Sequence, residues 1–288
     1  QSIRPMPGNT TTDLRTRTYV NPVRVVWSSE GVLGVTNLLS AGKGQITLNN
    51  PRVCRMENKG ANPGFVLDIG KEIQGGVQIG VADNNSGSQH GKTVRLRVRF
   101  GESVSEAMSE LGDKGSQTDH AVRDQTVYVP WLGTIEVGNS GYRFVRIDLL
   151  DKNSTVAIKF VRGVALYRDL PYLGSFKSSD SRLNKIWETG AYTVHMNMQD
   201  YLWDGIKRDR LVWIGDMHPE TSTISSVFGN DEIVPKSLDL IRDETPVGQW
   251  MNGISSYSLW WIIIQRDWYL NHGNLPYLKE QAPYLRSL

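Results

Sequence analysis

Cysteine is almost absent from this sequence, because the 288 residues contain only Cys54. A single cysteine excludes an intramolecular disulfide. An excess of charge of one sign is missing as well: 32 basic residues face 30 acidic ones, for a formal net charge of +2. Since no block rich in Lys and Arg occurs, nucleic acid is not an expected partner. The charge balance permits an uncharged ligand.

Long apolar runs are also lacking. No stretch reaches the ~18 apolar residues of a membrane span, and the run Leu259–Ile264 is stopped by Gln265 and Arg266, so it predicts a buried helix. No signal peptide is visible. The chain starts at Gln1 without a methionine, from which we expect a processed N-terminus and a removed export signal. We therefore expect an exported protein, periplasmic or extracellular, with a cytoplasmic location as the alternative.

Motifs for metals, cofactors and catalytic nucleophiles are missing too. The five histidines show no metal-ligand spacing. Gly75, Gly76 and Gly101 do not form a phosphate-binding fingerprint. No Ser/His/Asp or Cys/His constellation is visible. The sequence therefore predicts neither a metal site nor a cofactor.

Residues 1–170 carry the pattern of short strands. Turns rich in Gly, Asn and Asp recur, and Val94–Phe100 alternates apolar residues with three arginines. Such alternation places the apolar side chains on one face of a strand. Several short strands, spaced by roughly ten residues, are typical of an antiparallel β-sandwich. We predict that residues 1–170 form an antiparallel β-sandwich domain.

The pattern changes to that of helices at about Pro171. Between residues 183 and 201, apolar residues recur at steps of three and four. Ser179 or Asp180 is suited to cap this first helix. Further helices are predicted around 219–228, 231–243, 254–271 and 275–288. Because the strands precede the helices, we predict two segregated domains, the second over residues 171–288.

The densest group of charged residues follows the first long helix. Residues 204–220 hold four carboxylates, three cations and Trp213. Pro219 is expected in the first turn of the next helix. Burying these charges would be costly unless each found a partner, so the segment either lines a cleft or forms a solvated, salt-bridged loop. A cleft of this kind suits glycoside hydrolysis, in which one carboxyl group donates a proton and a second, ionised one activates water or attacks the sugar.

Several stretches resemble one known family, in the family's order. They are Phe65–Glu72, Arg99–Glu102, Gly141–Ile147, Phe176–Trp187 and Asp204–Asp216. Together they resemble glycoside hydrolase family 78, the bacterial and fungal α-L-rhamnosidases. The resemblance implies that residues 1–170 are an accessory, jelly-roll-like β-sandwich followed by an (α/α)₆ toroid. It also implies an enzyme that removes terminal α-L-rhamnose from glycans or glycosides by an inverting acid/base mechanism.

The resemblance also implies that part of the toroid lies outside this sequence. The toroid has twelve helices, of which about five are predicted here, and the family's catalytic base belongs to the later ones. We therefore expect this chain to be a fragment that lacks the base. No cofactor is implied, and the expected partner is a rhamnose-containing carbohydrate.

Carried over position by position, the resemblance assigns the general acid to Asp209. It assigns substrate binding to Asp204, Arg208, Trp213 and Asp216. The family's acid is usually Glu, and the shorter Asp withdraws the carboxyl group by about one C–C bond, ~1.5 Å. Misplacement by ~1 Å can cost on the order of 10²-fold in rate. The shorter side chain of Asp209 is therefore a departure from the family's pattern that should affect the rate of proton transfer.

Alternatives stay open at this point. Asp216 and Glu220 are alternative acids if Asp209 does not serve. A non-catalytic glycan-binding paralogue is compatible with the shorter acid and the missing base, and a related exo-glycosidase could act on another sugar. The third alternative is an interaction protein, which predicts that salt bridges shield residues 204–220.

Single residues near the motif also have two interpretations. For His218, a surface or helix-terminal role is favoured over substrate contact. For the six tryptophans between residues 203 and 268, core packing is favoured over sugar stacking.

Overall fold

The computed structural model describes residues 12–40, 46, 49, 52–113 and 123–288. Within these ranges the chain combines an antiparallel sheet with helices. It separates into two compact units. The β unit comprises Arg17–Leu166 and Asp204–Arg210, and the helical unit comprises Tyr167–Trp203 and Leu211–Leu288 with the described residues before Arg17.

Ten strands, one short α-helix and a 3-10 helix at Val35–Leu39 are described in the first part of the chain. The strands and the α-helix are β1 (Arg15–Val20), β2 (Arg24–Ser28), β3 (Val32–Leu33), β4 (Cys54–Asn58), β5 (Gly64–Ser86), β6 (Gln89–His90), β7 (Val94–Gly101), α1 (Val104–Met108), β8 (Asp124–Val129), β9 (Gly133–Leu149) and β10 (Ser154–Arg168). Neighbouring strands follow the order β3-β4-β10-β5-β9-β7-β8, and β1, β2 and β6 attach at β10, β5 and β5. The pairs along this path are antiparallel.

Strand β7 shows how the sequence pattern builds this sheet. The apolar residues Val94, Leu96, Val98 and Phe100 are fully buried, which confirms the predicted alternation. The opposite face is not simply solvated, because Arg99 is buried as well and its guanidinium donates to Asp148 at 3.0 Å. A buried cation is tolerated where a carboxylate lies against it.

The pairing register of the long strand β5 with β9 shifts at two places. One shift in its pairing with β9 lies between Asp68 and Ile73, and another lies between Gly75 and Val77. Gly75 has φ of +145°, and a Cβ at this position would lie 1.9 Å from the carbonyl oxygen of Val164. Only glycine therefore fits at position 75. Register shifts of this kind are typical of places where a strand bends.

The helical unit contains five longer helices. They are α2 (Ser181–Asn197), α3 (Ile214–Val227), α4 (Ile233–Glu244), α5 (Ser255–His272) and α6 (Leu275–Leu285). The predicted cap is confirmed, because the Asp180 carboxylate accepts from the backbone N–H of Arg182 at 2.8 Å. The prediction for α3 is wrong at its start: the helix begins at Ile214, five residues earlier, so Pro219 lies beyond its first turn.

The apolar run in α5 is helical, but it is not wholly buried as predicted. Trp261 and Ile264 are buried, and the Trp261 indole donates to the carbonyl of Leu238 at 3.2 Å. Leu259 is 59% exposed and Ile263 is exposed too. A continuous apolar run covers every face of a helix, whereas only one face of α5 packs on the core of this unit. None of the described helices is long and apolar enough to cross a membrane.

Candidate active site

The motif Asp204–Asp216 is divided between the two units. Residues 204–210 belong to the β unit, and Leu211 and the residues after it belong to the helical unit. Within the β unit lie Asp204, Arg208 and Asp209 from the predicted site. Within the helical unit lie Trp213 and Asp216. The two halves of the motif are held by different kinds of contact.

The first half lies against strand β9. Ile206 is buried, and a Cβ at Gly141 would come within 2.6 Å of its Cγ1 atom and within 3.0 Å of its carbonyl carbon. The Arg210 guanidinium donates to the backbone carbonyl of Asn139 at 2.5 Å. Arg210 itself has φ of +57°. Residues other than glycine adopt this left-handed conformation at a cost of about 1–3 kcal/mol, where surrounding contacts hold them.

A buried cation that is not among the predicted site residues, Lys207, lies between these contacts. Lys207 is 3% exposed and forms an ion pair with Glu106 of α1. Burial lowers the pKa of Lys207, while the charges of Glu102 and Glu72 raise it. Burial and a hydrogen bond with Glu102 raise the pKa of Glu72 to about 8, against the opposing charge of Lys207. The sequence could not signal this group, because its members are far apart along the chain.

Asp209 keeps access to solvent beside one arginine. Its side chain is 29% exposed, and the guanidinium of Arg208, which is 65% exposed, lies 3.4 Å from its carboxyl group. Arg210 is committed to the carbonyl of Asn139. Of the two arginines that flank Asp209 in the sequence, therefore, Arg208 approaches its carboxyl group. A ligand can reach this carboxyl group from solvent.

The second half of the motif is held by aromatic packing and by one asparagine. The rings of Trp213 and Tyr257 meet edge to face, with centroids 6.1 Å apart. A Cβ at Gly215 would lie 2.3 Å from the Tyr257 ring, so the motif glycine makes room for this tyrosine. The Asn252 side chain donates to the carbonyl of Val212 and accepts from the N–H of Ile214, both at 3.1 Å. These contacts start α3 earlier than the sequence predicts.

Trp213 carries an unused donor. Its indole N–H is buried, and no acceptor for it occurs among the residues that the structure describes. Buried donors are normally hydrogen-bonded, so an unpaired one calls for an explanation.

The remaining acids of the segment differ in exposure. Asp216 is exposed in the first turn of α3, where the helix dipole favours a carboxylate. Glu220 is buried and accepts from the Asn197 amide at 2.9 Å. Since Arg208 and Asp216 are exposed, the fully shielded loop that an interaction protein predicts is not found. Asp216 is thus the more accessible of the two alternative acids.

His218 is engaged by neighbours on the helical unit. Its ring lies against Trp260, with centroids 4.6 Å apart, and its Nε2 atom lies 3.6 Å from a carboxylate oxygen of Asp267. These contacts agree with the helix-surface role that the sequence favours. Over the described ranges, no group of three or more His, Cys, Asp or Glu side chains could hold a metal ion.

One family model matches the second part of the chain. Residues 171–285 match the model of the bacterial α-L-rhamnosidase six-hairpin glycosidase domain. A curated α-L-rhamnosidase of Formosa agariphila is 27% identical over 125 residues, which cover 42% of this chain and 13% of that protein. The chain therefore spans a small part of this curated relative.

Solved structures share the fold. The rhamnosidase from Klebsiella oxytoca with rhamnose bound matches with a TM-score of 0.74 at 17% identity, over 96% of this chain and 56% of that one. The family 78 rhamnosidase of Bacillus sp. GL1 matches with a TM-score of 0.65 at 19% identity, over 88% of this chain and 26% of that one. Residues 171–285 are therefore similar to the glycosidase domain of bacterial α-L-rhamnosidases, and the chain shares the fold of these solved structures.

Proposed function

We propose that the protein containing this chain is a glycoside hydrolase that removes terminal α-L-rhamnose from glycans or glycosides. The observation that carries the proposal is the family match over residues 171–285, which include Trp213 and Asp216 of the motif. Two structural relatives, from Klebsiella oxytoca and Streptomyces avermitilis, are described with rhamnose bound, which supports rhamnose as the sugar.

Asp209 is the proposed general acid. In this role its protonated carboxyl group donates a proton to the glycosidic oxygen as the bond from the sugar to that oxygen breaks. The exposure of its side chain supports this role, since the leaving group must reach it. Asp204, Arg208, Trp213 and Asp216 are the proposed substrate-binding residues. Trp213 and Asp216 lie in the range that matches the family model, which supports their part in this set.

The proposed reaction inverts the anomeric configuration. A second carboxylate removes a proton from water, which attacks the anomeric carbon from the face opposite the leaving group. Such a base stands roughly 6.5–9.5 Å from the acid, to leave room for the water. We propose that a later part of the toroid, beyond these 288 residues, supplies this base.

The proposed domain organisation follows the same family. Residues 1–170 are proposed as an accessory, jelly-roll-like β-sandwich, and residues 171–288 as the N-terminal part of an (α/α)₆ catalytic domain. The five longer helices of the helical unit support the second assignment. An exported location, periplasmic or extracellular, is proposed for the complete protein.

Hydrolysis of a chromogenic α-L-rhamnoside by the full-length protein tests this function. Wild type is expected to release the chromophore, and Asp209→Ala is expected to lose on the order of 10²-fold or more in kcat, within the range that general acid catalysis contributes. Asp209→Glu tests whether the shorter acid is adapted to its site: a gain in rate would show that the usual residue fits better. Asp216→Ala and Glu220→Ala compare the alternative acids directly.

A glycan-binding protein without turnover is the second candidate. The observation that favours it is Asp209 at the position where the family usually has Glu. It predicts that full-length wild type binds L-rhamnose, measured by the fluorescence of its tryptophans, while it hydrolyses neither the rhamnoside nor a panel of other glycosides.

A further inference from the structure

Three motifs that lie far apart in the sequence meet at one buried lysine of the β unit. Lys207 pairs with Glu106, and the charges of Glu72 and Glu102 also act on it. Glu72 ends the motif Phe65–Glu72, and Glu102 ends the motif Arg99–Glu102. We call Lys207, Glu72, Glu102 and Glu106 the Lys207 cluster. A buried ammonium group is costly unless charged partners surround it, so the cluster ties Lys207 firmly to the β unit.

Lys207 lies in residues 204–210, whose conformation is held by contacts with other residues of the β unit. Ile206, next to Lys207, is buried against Gly141. Arg210 bonds to Asn139 and has a left-handed backbone. A non-glycine residue in that conformation persists only where its surroundings hold it. Asp209 lies between these anchors, so its position depends on them.

We infer that Lys207 is a positioning residue, which fixes residues 204–210 on the β unit and so sets where the carboxyl group of Asp209 lies. The inference rests on the proposed function, because it explains how the proposed acid of that function is held. Lys207 acts through the backbone of its segment. A shift of ~1 Å at a reacting group can cost on the order of 10²-fold in rate, so such anchoring has a measurable effect on turnover.

The protonation of the cluster gives the anchoring a pH dependence. Glu72 and Glu102 are hydrogen-bonded to each other, so one of the two carboxyl groups carries a proton. With that proton in place, Lys207 faces two carboxylates and one neutral carboxyl group. The pKa of Glu72, raised to about 8, means that the cluster gains a third negative charge in mildly alkaline solution. Burial and the charge of Glu102 both disfavour this third charge, and the attraction of Lys207 offsets them only in part, so we expect the hold on residues 204–210 to weaken there.

Limited proteolysis of the full-length protein tests the anchoring without reference to activity. Trypsin cleaves after Arg208 and Arg210 only if their segment leaves the β unit, and mass spectrometry identifies both cuts. We expect Lys207→Met to speed these two cuts by about tenfold or more, since the cleavage rate follows the population of the open form. Lys59→Met is the matched control, because Lys59 is an exposed lysine of the same unit. Lys207→Arg keeps the charge and should stay close to wild type.

The two results that overturn the anchoring are distinct. If Lys207→Met is cut after Arg208 and Arg210 no faster than Lys59→Met, the cluster does not hold the segment. If the cuts spread over the whole β unit instead, Lys207 supports the fold in general and has no particular hold on residues 204–210.

Kinetics on the chromogenic rhamnoside test the positioning of Asp209. We expect Lys207→Met to lower kcat by about tenfold or more while KM changes by less than about threefold, because the substrate contacts remain. Lys207→Arg should recover most of the loss. In the Asp209→Ala background, Lys207→Met should cost nothing further, since residues that act through one another are not additive. Full additivity of the two losses would contradict the inference.

The pH profile supplies a readout that a purely structural role would not move. Glu72→Gln cannot ionise, so it should remove any fall in kcat that wild type shows around pH 8. If this alkaline fall is unchanged in Glu72→Gln, the cluster does not control the acid. A wild type that is inert on every glycoside defeats the proposed function, and in that case the proteolysis comparison still decides whether Lys207 anchors its segment.

Discussion

The two halves of the motif Asp204–Asp216 reach ordered positions by different physical means. In the β unit, residues 204–210 are held by the ion pair of Lys207 and by the contact of Ile206 with Gly141. In the helical unit, the backbone around Trp213 is held by the neutral amide of Asn252 and by packing on Tyr257. The difference teaches that one short sequence motif is positioned by two separate cores, one of which depends on charge.

Among the changes in the helical half, removing the side chain of Asn252 should cause the largest loss of stability. Asn252→Ala removes two hydrogen bonds, and leaving the two backbone groups of Val212 and Ile214 unpaired costs about 1–3 kcal/mol in the free energy of unfolding. Asn252 also has φ of +52°, which alanine tolerates poorly. Asn252→Gly keeps the backbone conformation and loses only the hydrogen bonds, so it should be the milder of the two in urea unfolding. Equal losses of stability in Asn252→Ala and Asn252→Gly would show that the φ of Asn252 is not strained.

Crowding the β-unit half should affect rate more than stability. In Gly141→Ala the new Cβ lies 2.6 Å from Ile206 and 3.0 Å from its backbone, so residues 204–210 must shift by part of an ångström. We expect kcat on the rhamnoside to fall by about tenfold, which is less than a full ~1 Å displacement produces. Gly141→Ala combined with Ile206→Val should recover part of the rate. An unchanged kcat in Gly141→Ala would mean that the segment adjusts freely.

The matching change in the helical half should affect stability. Alanine usually stabilises a helix relative to glycine by roughly 0.8–1 kcal/mol, but Gly215→Ala brings a Cβ to 2.3 Å from the Tyr257 ring. Overpacking of this kind costs about 1–3 kcal/mol, so we expect a net loss of about 1 kcal/mol. Combining it with Tyr257→Leu should relieve the overlap. Greater stability of Gly215→Ala in urea unfolding would contradict the packing described here.

The last effect concerns pH and separates the charged half from the neutral one. The pKa of Glu72 is raised from 4.5 to about 8 in the folded protein, so the folded state keeps a proton that the unfolded chain loses. This contribution to stability is complete below pH 4.5 and is lost as the pH rises to about 8. Glu72→Gln should lack this part of the pH dependence when thermal unfolding is measured across that range. Asn252→Ala should retain it.

Local patterns in the sequence predict much of the fold. The alternation in Val94–Phe100 gives the buried face of β7, and the steps of three and four residues give the helices from α2 onward. The start of α3 could not be predicted, because Asn252, which binds the N–H of Ile214, lies 38 residues further along the chain. Contacts of this kind leave no mark on the local pattern.

The candidate site could be predicted only in part for the same reason. The motif points to Asp204, Asp209 and Trp213 as neighbours in sequence, but it does not reveal that they belong to two units. In the sequence, Lys207 is simply one of three cations in a charged loop. Its burial depends on Glu72, Glu102 and Glu106, which lie 101 to 135 residues before it in the sequence, beyond the reach of any pattern of helix or strand spacing.

The measurement that tests the central claim most directly is hydrolysis of a chromogenic α-L-rhamnoside by the full-length protein, with Asp209→Ala beside wild type. The account predicts that wild type turns over and that the variant loses on the order of 10²-fold or more in kcat. A wild type that is inert on this substrate and on a panel of other glycosides, or an Asp209→Ala variant as fast as wild type, would contradict it.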